Sequence, residues 1–327
     1  MALRGGLSPR HSRRFSLCRD NRQTMALRRA LSRGARAAFA TFDAPSTRTC
    51  GLSSTRALSR AHNTASASTS ASEDAPIGQV DAREKAKFES DAALWWNEDE
   101  GPFAALHAMN PVRVRFIRDA LMRRFEKELA QNPPYAALRG VKILDVGCGG
   151  GILAESLARL GADVTAIDAG AANIAIAEAH AALDPDLAKN LRYEAVTAEE
   201  LASRGETFDC VTSLEVIEHV TDPLEFTLSI SQLVKPSGSL FISTINRTAR
   251  SFVMAILAAE RILGIVPPGT HQFTKFLTPG EVAVMASRAE CEMKELAGMV
   301  YDPLRNKWSL SSDTQINFIA PLRQGDA

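Results

Sequence analysis

From about residue 143 onward, short apolar runs alternate with longer stretches whose apolar residues recur every three or four positions, a pattern that predicts strands and helices in turn. A first strand ends Ile143-Leu144-Asp145-Val146. A helix is predicted over 152–160 and closed by Gly161, since a glycine readily takes the left-handed conformation that follows a helix end. A strand over 163–167 follows, then a helix over 171–183 that stops before Pro185. Further strands are expected at 191–196, 208–214 and 239–244, with a helix over 223–233 between the last two. Strands and helices alternating at these lengths imply an α/β fold, with a mostly parallel sheet and helices on both faces. The runs 293–301 and 314–322 have little between them and read as an antiparallel pair that closes the sheet at seven strands. Ahead of the first strand, 83–96 and 111–129 read as a helical N-terminal cap.

The first strand runs into Gly147-Cys148-Gly149-Gly150-Gly151, a turn almost free of side chains, and the second strand ends at Asp168. Glycines there let the backbone turn tightly and approach a ligand, and an acid at the next strand tip can accept from ribose hydroxyls. Gly147, Asp168 and Leu214 all fall at carboxyl ends of strands, where open α/β sheets bind ligands. Dinucleotide sites space their glycines as G-x-G-x-x-G. Here Asp145 stands two residues before the first glycine and the glycine repeat is shorter, so the segment resembles the first motif of class I S-adenosylmethionine (SAM)-dependent methyltransferases. Dinucleotide enzymes and strand–helix turns that bind nothing share the bare pattern. Asp145 reads as a support that holds the loop through backbone N–H groups.

The fourth strand, 208–214, leads directly into Glu215-Val216-Ile217-Glu218-His219. A single turn would bring Glu215, Glu218 and His219 towards one point, because positions three and four apart share a helical face. Two carboxylates and an imidazole suit a divalent cation. Hard oxygen donors favour magnesium, and the imidazole keeps zinc and manganese compatible. A solvated acidic turn is the plain alternative.

Composition changes the picture at one end. The first 60 residues carry thirteen Arg, no Lys and only Asp20 and Asp43, a total of +11, so the remaining 267 residues total −11 in a chain of zero net charge. An Arg-, Ser- and Ala-rich, acid-poor N-terminus is the composition of a mitochondrial transit peptide; a basic arm for nucleic acid or anionic lipid is the other reading. Residues 61–78 are low-complexity and cannot bury enough apolar surface to offset ordering, so 1–78 reads as leader and linker and 79–327 as one catalytic-size domain. Five cysteines at 18, 50, 148, 210 and 291 show no C-x-x-C spacing, which argues against a structural zinc site. Cys148 reads as a small filler.

Several separated motifs add up to a more specific resemblance. They are Trp95-Trp96, Leu106-His107-x-x-Asn110-Pro111-x-Arg113, the glycine loop through Glu155, Glu215-x-x-Glu218-His219, Gln232 to Pro236, Ser243-Thr244-x-Asn246-Arg247 and Pro268-Gly269-Thr270-His271. Together they resemble the ubiquinone-biosynthesis O-methyltransferases over residues 85–320. Ser237 departs by standing where a glycine is common, and Leu214 occupies a variable position.

The resemblance implies the class I, Rossmann-like fold, with SAM held by Arg113, Gly147, Asp168 and Leu214. It further implies a cation on Glu215, Glu218 and His219, which would be the catalytic residues. By spacing alone Arg113 would be a solvent-facing helix residue among Arg115, Arg118, Arg123 and Arg124. The implied activity is methylation of catechol-type hydroxyls of polyprenylated ubiquinone precursors, at both O-methylation steps. The implied place is peripheral, on the matrix side of the mitochondrial inner membrane, within a multi-subunit coenzyme Q biosynthesis complex. No nucleic acid is expected as a partner. The apolar segment 251–266, inside a 248–276 lid, suits an interfacial helix or an ordinary lid packed on the sheet. Other readings of the same residues are a metal-free methyltransferase on another acceptor and a non-catalytic SAM-fold subunit of a lipid-biosynthesis assembly.

Overall fold

The computed structural model describes residues 80–98, 101–253, 273–302, 305 and 307–325. The leader and linker 1–78, most of the apolar segment 251–266 and the motif 268–271 lie outside the described residues.

Strands β1 (Lys142–Val146), β2 (Asp163–Ile167), β3 (Leu191–Glu194), β4 (Phe208–Leu214), β5 (Val234–Ile245), β6 (Cys291–Met293) and β9 (Asn317–Gln324) form a seven-stranded sheet in the order β3-β2-β1-β4-β5-β9-β6. The first five strands are parallel, and β9 runs antiparallel between β5 and β6. Seven helices matter for the site: α1 (Ala82–Ser90), α2 (Ala104–Arg124), α3 (Ile152–Arg159), α4 (Ala171–Ala181), α5 (Ala198–Ser203), α6 (Pro223–Ser231) and α7 (Pro279–Arg288). Alternation along each strand sends neighbouring residues to opposite faces. Ile143, Val164 and Ile319 join Ile117 and Leu157 in one core layer, and Leu144, Ile167 and Ile242 join Leu201, Ile230 and Val282 in the other. The same alternation puts Asp145 on the Ile143 side of the sheet, towards α2.

The strands over 163–167 and 208–214 form where the apolar runs place them. The C-terminal expectation needs correcting. Residues 293–301 are not one strand: β6 ends at Met293, and β7 (Gly298–Asp302) pairs with β8 (Lys307–Ser311) in a separate two-stranded sheet. The polar stretch Lys294-Glu295 has no apolar face to bury, and the chain changes sheet there. The cap also differs. The run 83–96 breaks at Asp91, after which only a 3-10 turn, Ala92–Leu94, continues, and α2 starts seven residues before Pro111. Burial of Met109, Asn110 and Arg113 outweighs the hydrogen bond that proline removes from a helix interior. Helix α7 was not expected, although Thr278-Pro279-Gly280-Glu281 carries its start signal. The Thr278 hydroxyl accepts from the Glu281 N–H, and the Glu281 carboxylate accepts from the Thr278 N–H.

Ser237 sits at φ +64°, in the left-handed region, within the register shift of β5 between Val234, opposite Phe208, and Ser239, opposite Cys210. A side chain there costs about 1–2 kcal/mol, and glycine's extra freedom in the unfolded chain returns about 0.4–1 kcal/mol of that. Ser237→Gly is therefore expected to stabilise the protein by roughly 0.5–1 kcal/mol. An unchanged or lower thermal midpoint would contradict this.

Candidate functional site

A cavity of about 180 Å3 opens at the carboxyl ends of the parallel strands, and Arg113, Gly147, Asp168, Leu214, Glu215 and His219 all line it. Glu218 does not line it.

The glycine loop supplies room to this cavity and few donors. Gly147, Gly149 and Gly151 take φ values of +72°, +54° and +90°. The N–H groups of Gly147 and Cys148 donate to the Ile167 carbonyl at 2.8 and 3.0 Å, and that of Gly151 to the Cys148 carbonyl at 3.0 Å. The Gly149 N–H donates to Asp168 Oδ2 at 3.0 Å. Asp168 Oδ1 accepts from the Gly170 N–H at 2.7 Å and from Asn173 Nδ2 at 3.1 Å. Burial raises the Asp168 pKa, against which these bonds hold the charged form. Asp168, and not Asp145, thus ties the loop through a backbone N–H. Asp145 Oδ1 instead accepts from the Thr212 hydroxyl at 2.8 Å, its Oδ2 has no partner among the described residues, and burial pushes its pKa up to about 7.

Above the loop lie two residues that the physical reading of the chain left without a role. The Trp95 ring covers the glycines so closely that a Cβ on Gly149 would come within 2.3 Å of it, and one on Gly150 within 2.5 Å of Trp95 Cβ. Trp95 Nε1–H donates to Asn173 Oδ1 at 2.9 Å and its ring stacks on Phe103 at 3.6 Å between centroids. Trp96 Nε1–H donates to the Gly150 carbonyl at 2.9 Å, and its ring stacks on His180. The signal was available in the sequence: two of the chain's three tryptophans are adjacent.

Arg113 is only 4% exposed, unlike Arg115 on the same helix, whose side chain is 72% exposed. Its Nη2 reaches the Asn110 side-chain carbonyl at 3.3 Å and the Leu106 carbonyl at 3.5 Å, while Nε has no acceptor among the described residues. A buried guanidinium in a cavity wall, with an unused donor, is disposed to receive a carboxylate.

Glu215, also in the lining, holds φ +59° at the end of β4, a conformation that is costly for any residue other than glycine. Its N–H donates to the Ser243 carbonyl at 3.0 Å, and its Oε1 accepts from the Ser243 hydroxyl at 2.7 Å. Burial raises its pKa. Ile217–His219 forms a 3-10 turn, in which neighbouring side chains diverge by about a third of a turn. Glu218 consequently points into the protein, 4% exposed, with Oε2 unpartnered among the described residues. Burial and then the Glu215 charge push its pKa up to about 7. His219 turns to the cavity, with Nδ1 3.2 Å from Glu84 Oε2; burial lowers its pKa, but the Glu84 bond and the Glu218 charge raise it further, for a net increase. As placed, no three His, Cys, Asp or Glu side chains among the described residues converge on a point that a cation could occupy.

Fold and cavity define a nucleoside-cofactor enzyme of the methyltransferase class. A family model described as a methyltransferase domain matches residues 111–296. The magnesium protoporphyrin IX methyltransferase of Synechocystis PCC 6803, solved with bound SAH, shares the fold at a TM-score of 0.50 and 17% identity, over 74% of this chain and 98% of its own. Within that class the assignment is narrower. The mitochondrial ubiquinone biosynthesis O-methyltransferase of Arabidopsis thaliana is 48% identical over 72% of this chain and 72% of its own, and the Azorhizobium caulinodans ubiquinone biosynthesis O-methyltransferase is 45% identical over 73% and 92%. The chain belongs to the ubiquinone biosynthesis O-methyltransferase family.

Proposed function

We propose that this chain methylates catechol-type hydroxyls of polyprenylated ubiquinone precursors with SAM as donor, at both O-methylation steps. The observation that carries the reading is a single cavity lined both by Arg113 and Asp168, suited to grip the cofactor, and by Glu215 and His219. SAM, when bound, supplies an electrophilic methyl group on a positively charged sulfur. Asp168 accepts from the ribose hydroxyls, Arg113 pairs with the amino-acid carboxylate, and Gly147 and Leu214 let the cofactor lie against backbone. In the metal-free alternative, His219 would accept the hydroxyl proton as the oxygen attacks.

The donor set also fits a divalent cation chemically, because Glu218 keeps an orphaned buried oxygen, burial raises the pKa of both carboxylates, and a cation would relieve the Glu215 repulsion that adds to the rise at Glu218. Magnesium held by Glu215, Glu218 and His219, with zinc or manganese as substitutes, would supply Lewis acidity that favours the ionised catechol. The two carboxylates beside a developing phenolate favour this metal-assisted reading over the metal-free one.

Asp168→Ala is expected to weaken SAM binding by on the order of 1.5–3 kcal/mol, the cost of losing a charged acceptor, with the fold retained. Calorimetric titration with SAM, and with NAD as control, reads this. Unchanged SAM affinity in the folded variant would remove Asp168 from the site, and NAD binding without SAM binding would make the chain a dinucleotide enzyme.

The name of the Arabidopsis relative supports mitochondrial placement. The Arg-rich 1–78 segment is proposed as the import signal and the matrix face of the inner membrane as the site of action. Among the described residues no helix is long and apolar enough to cross a membrane. Contact through 248–276 is proposed to be apolar: Phe252 and Val253 are exposed at its start, while Arg247 pairs with Glu281 and Arg250 with Asp313 at 2.7 Å. Membership of a coenzyme Q biosynthesis complex is proposed on the family's account. A reporter fused to residues 1–78 should accumulate in mitochondria; cytosolic or nuclear accumulation would contradict the import signal.

A further inference from the structure

Helix α1 approaches the site from a part of the chain 135 residues before His219, and its Glu84 carboxylate meets His219 Nδ1 at 3.2 Å. A second contact fixes the other carboxylate oxygen: Lys275 Nζ lies 3.5 Å from Glu84 Oε1 and 3.1 Å from Asp81 Oδ2. One turn along the helix, the Phe88 ring packs edge-on against the imidazole, 5.1 Å between centroids at 89°. Glu84 and His219 are both largely buried, with side chains 12% and 18% exposed. A carboxylate can only accept, so the imidazole nitrogen facing it must carry the hydrogen. With Nδ1–H committed to Glu84, Nε2 is left with its lone pair free, on a residue that lines the cavity.

We infer that Glu84 is a positioning residue of the methyl-transfer site, fixing the tautomer and ring orientation of His219 from the N-terminal helix. The role rests on the proposed reaction only in its kinetic consequence, since the imidazole needs an available Nε2 lone pair whether it accepts a proton or binds a cation. It is separable from a lid role for α1. The Val80–Val220 bridge pins the start of that helix beside His219 independently, and Trp95 secures the following segment through Asn173. Loss of the Glu84 carboxylate therefore leaves the cavity covered and changes what the imidazole presents.

The test uses the full chain carrying 15N-histidine, with Glu84→Met, which keeps the length of the side chain and removes the acceptor, and Glu84→Gln, whose amide oxygen can still accept. At alkaline pH, with the imidazole neutral, long-range 1H–15N spectra of His219, identified by loss of its signals in His219→Gln, should show Nδ1 protonated in the parent and in Glu84→Gln. Glu84→Met should shift towards the Nε2–H form. With a short-chain prenylated catechol and saturating SAM, kcat should fall about 10–100-fold in Glu84→Met, the size of effect seen when the hydrogen-bond partner of a metal-ligating histidine is removed. It should recover most of that in Glu84→Gln, with SAM affinity within about twofold throughout. An unchanged tautomer in Glu84→Met, or a loss confined to SAM affinity with kcat intact, would overturn the inference. If Glu84→Met does not fold, Glu84→Ala takes its place in the same spectra. Lack of turnover in the parent would count against the proposed reaction, while the imidazole signature still decides the role of Glu84.

Discussion

With Glu215, Glu218 and His219 holding one cation that binds the catechol, Glu215→Ala, Glu218→Ala and His219→Ala should each lower turnover by on the order of 10²–10⁴-fold while leaving SAM affinity nearly intact. The cofactor is proposed to be gripped by Asp168 and Arg113, which line the same cavity, so the losses belong to the acceptor side. If the three residues hold one cation, their effects will not add, because once the ion is lost the remaining ligands have no separate task. Glu218 makes this informative. It does not line the cavity and keeps an unpartnered buried oxygen, so a severe Glu218→Ala defect is expected only if that oxygen turns to a cation during the reaction. The metal-free alternative gives a different pattern: His219→Ala severe, both Glu changes mild, and no effect of chelation. Full activity after exhaustive chelation, or rescue of His219→Ala by imidazole without metal, would leave His219 as a base acting alone.

Arg113→Ala should be the most damaging change on the cofactor side. Its guanidinium is buried, carries an unused donor, and is the cation whose charge lowers the pKa values of Asp145 and Glu215 against their burial. Truncating it removes the proposed partner of the cofactor's carboxylate and should leave that charge uncompensated, at a cost on the order of 2–5 kcal/mol in SAM affinity. Both neighbouring carboxylates should then be pushed further up, towards the protonated form. Arg113→Lys should recover part of the loss, since it restores the charge without the planar fork. Calorimetry with SAM on folded variants checks this, and unchanged affinity in Arg113→Ala would take Arg113 out of the site.

The sheet was legible where burial on both faces left short stretches of mostly apolar and small residues, as at Asp163–Ile167 and Phe208–Leu214. It was illegible at Lys307–Ser311, a strand with little apolar content that pairs in its own small sheet beside α2. The glycine loop and Asp168 were readable because their chemistry is local: glycines at positive φ and an acid at a strand tip need no distant partner. Arg113 was ambiguous, since its helix carries four further arginines and only the tertiary contacts with Leu106 and Asn110 turn it inwards. Neither Glu84 nor Trp95 was assigned a task from the residues alone. Their partners His219 and Asn173 stand 135 and 78 positions away, and no periodicity reports a contact of that range. The acidic turn shows the opposite failure. Spacing predicted convergence of Glu215, Glu218 and His219, but a 3-10 turn sends Glu218 inwards and His219 to the cavity.

The most direct measurement is methyl transfer itself. The protein from residue 72 onward, incubated with methyl-labelled SAM and a short-chain prenylated catechol, with and without magnesium, should place label on a catechol oxygen and form S-adenosylhomocysteine in equal amount. SAM binding with no label transferred to any such catechol, with the metal present, would contradict the account and leave a SAM-fold protein that does not methylate this class of acceptor.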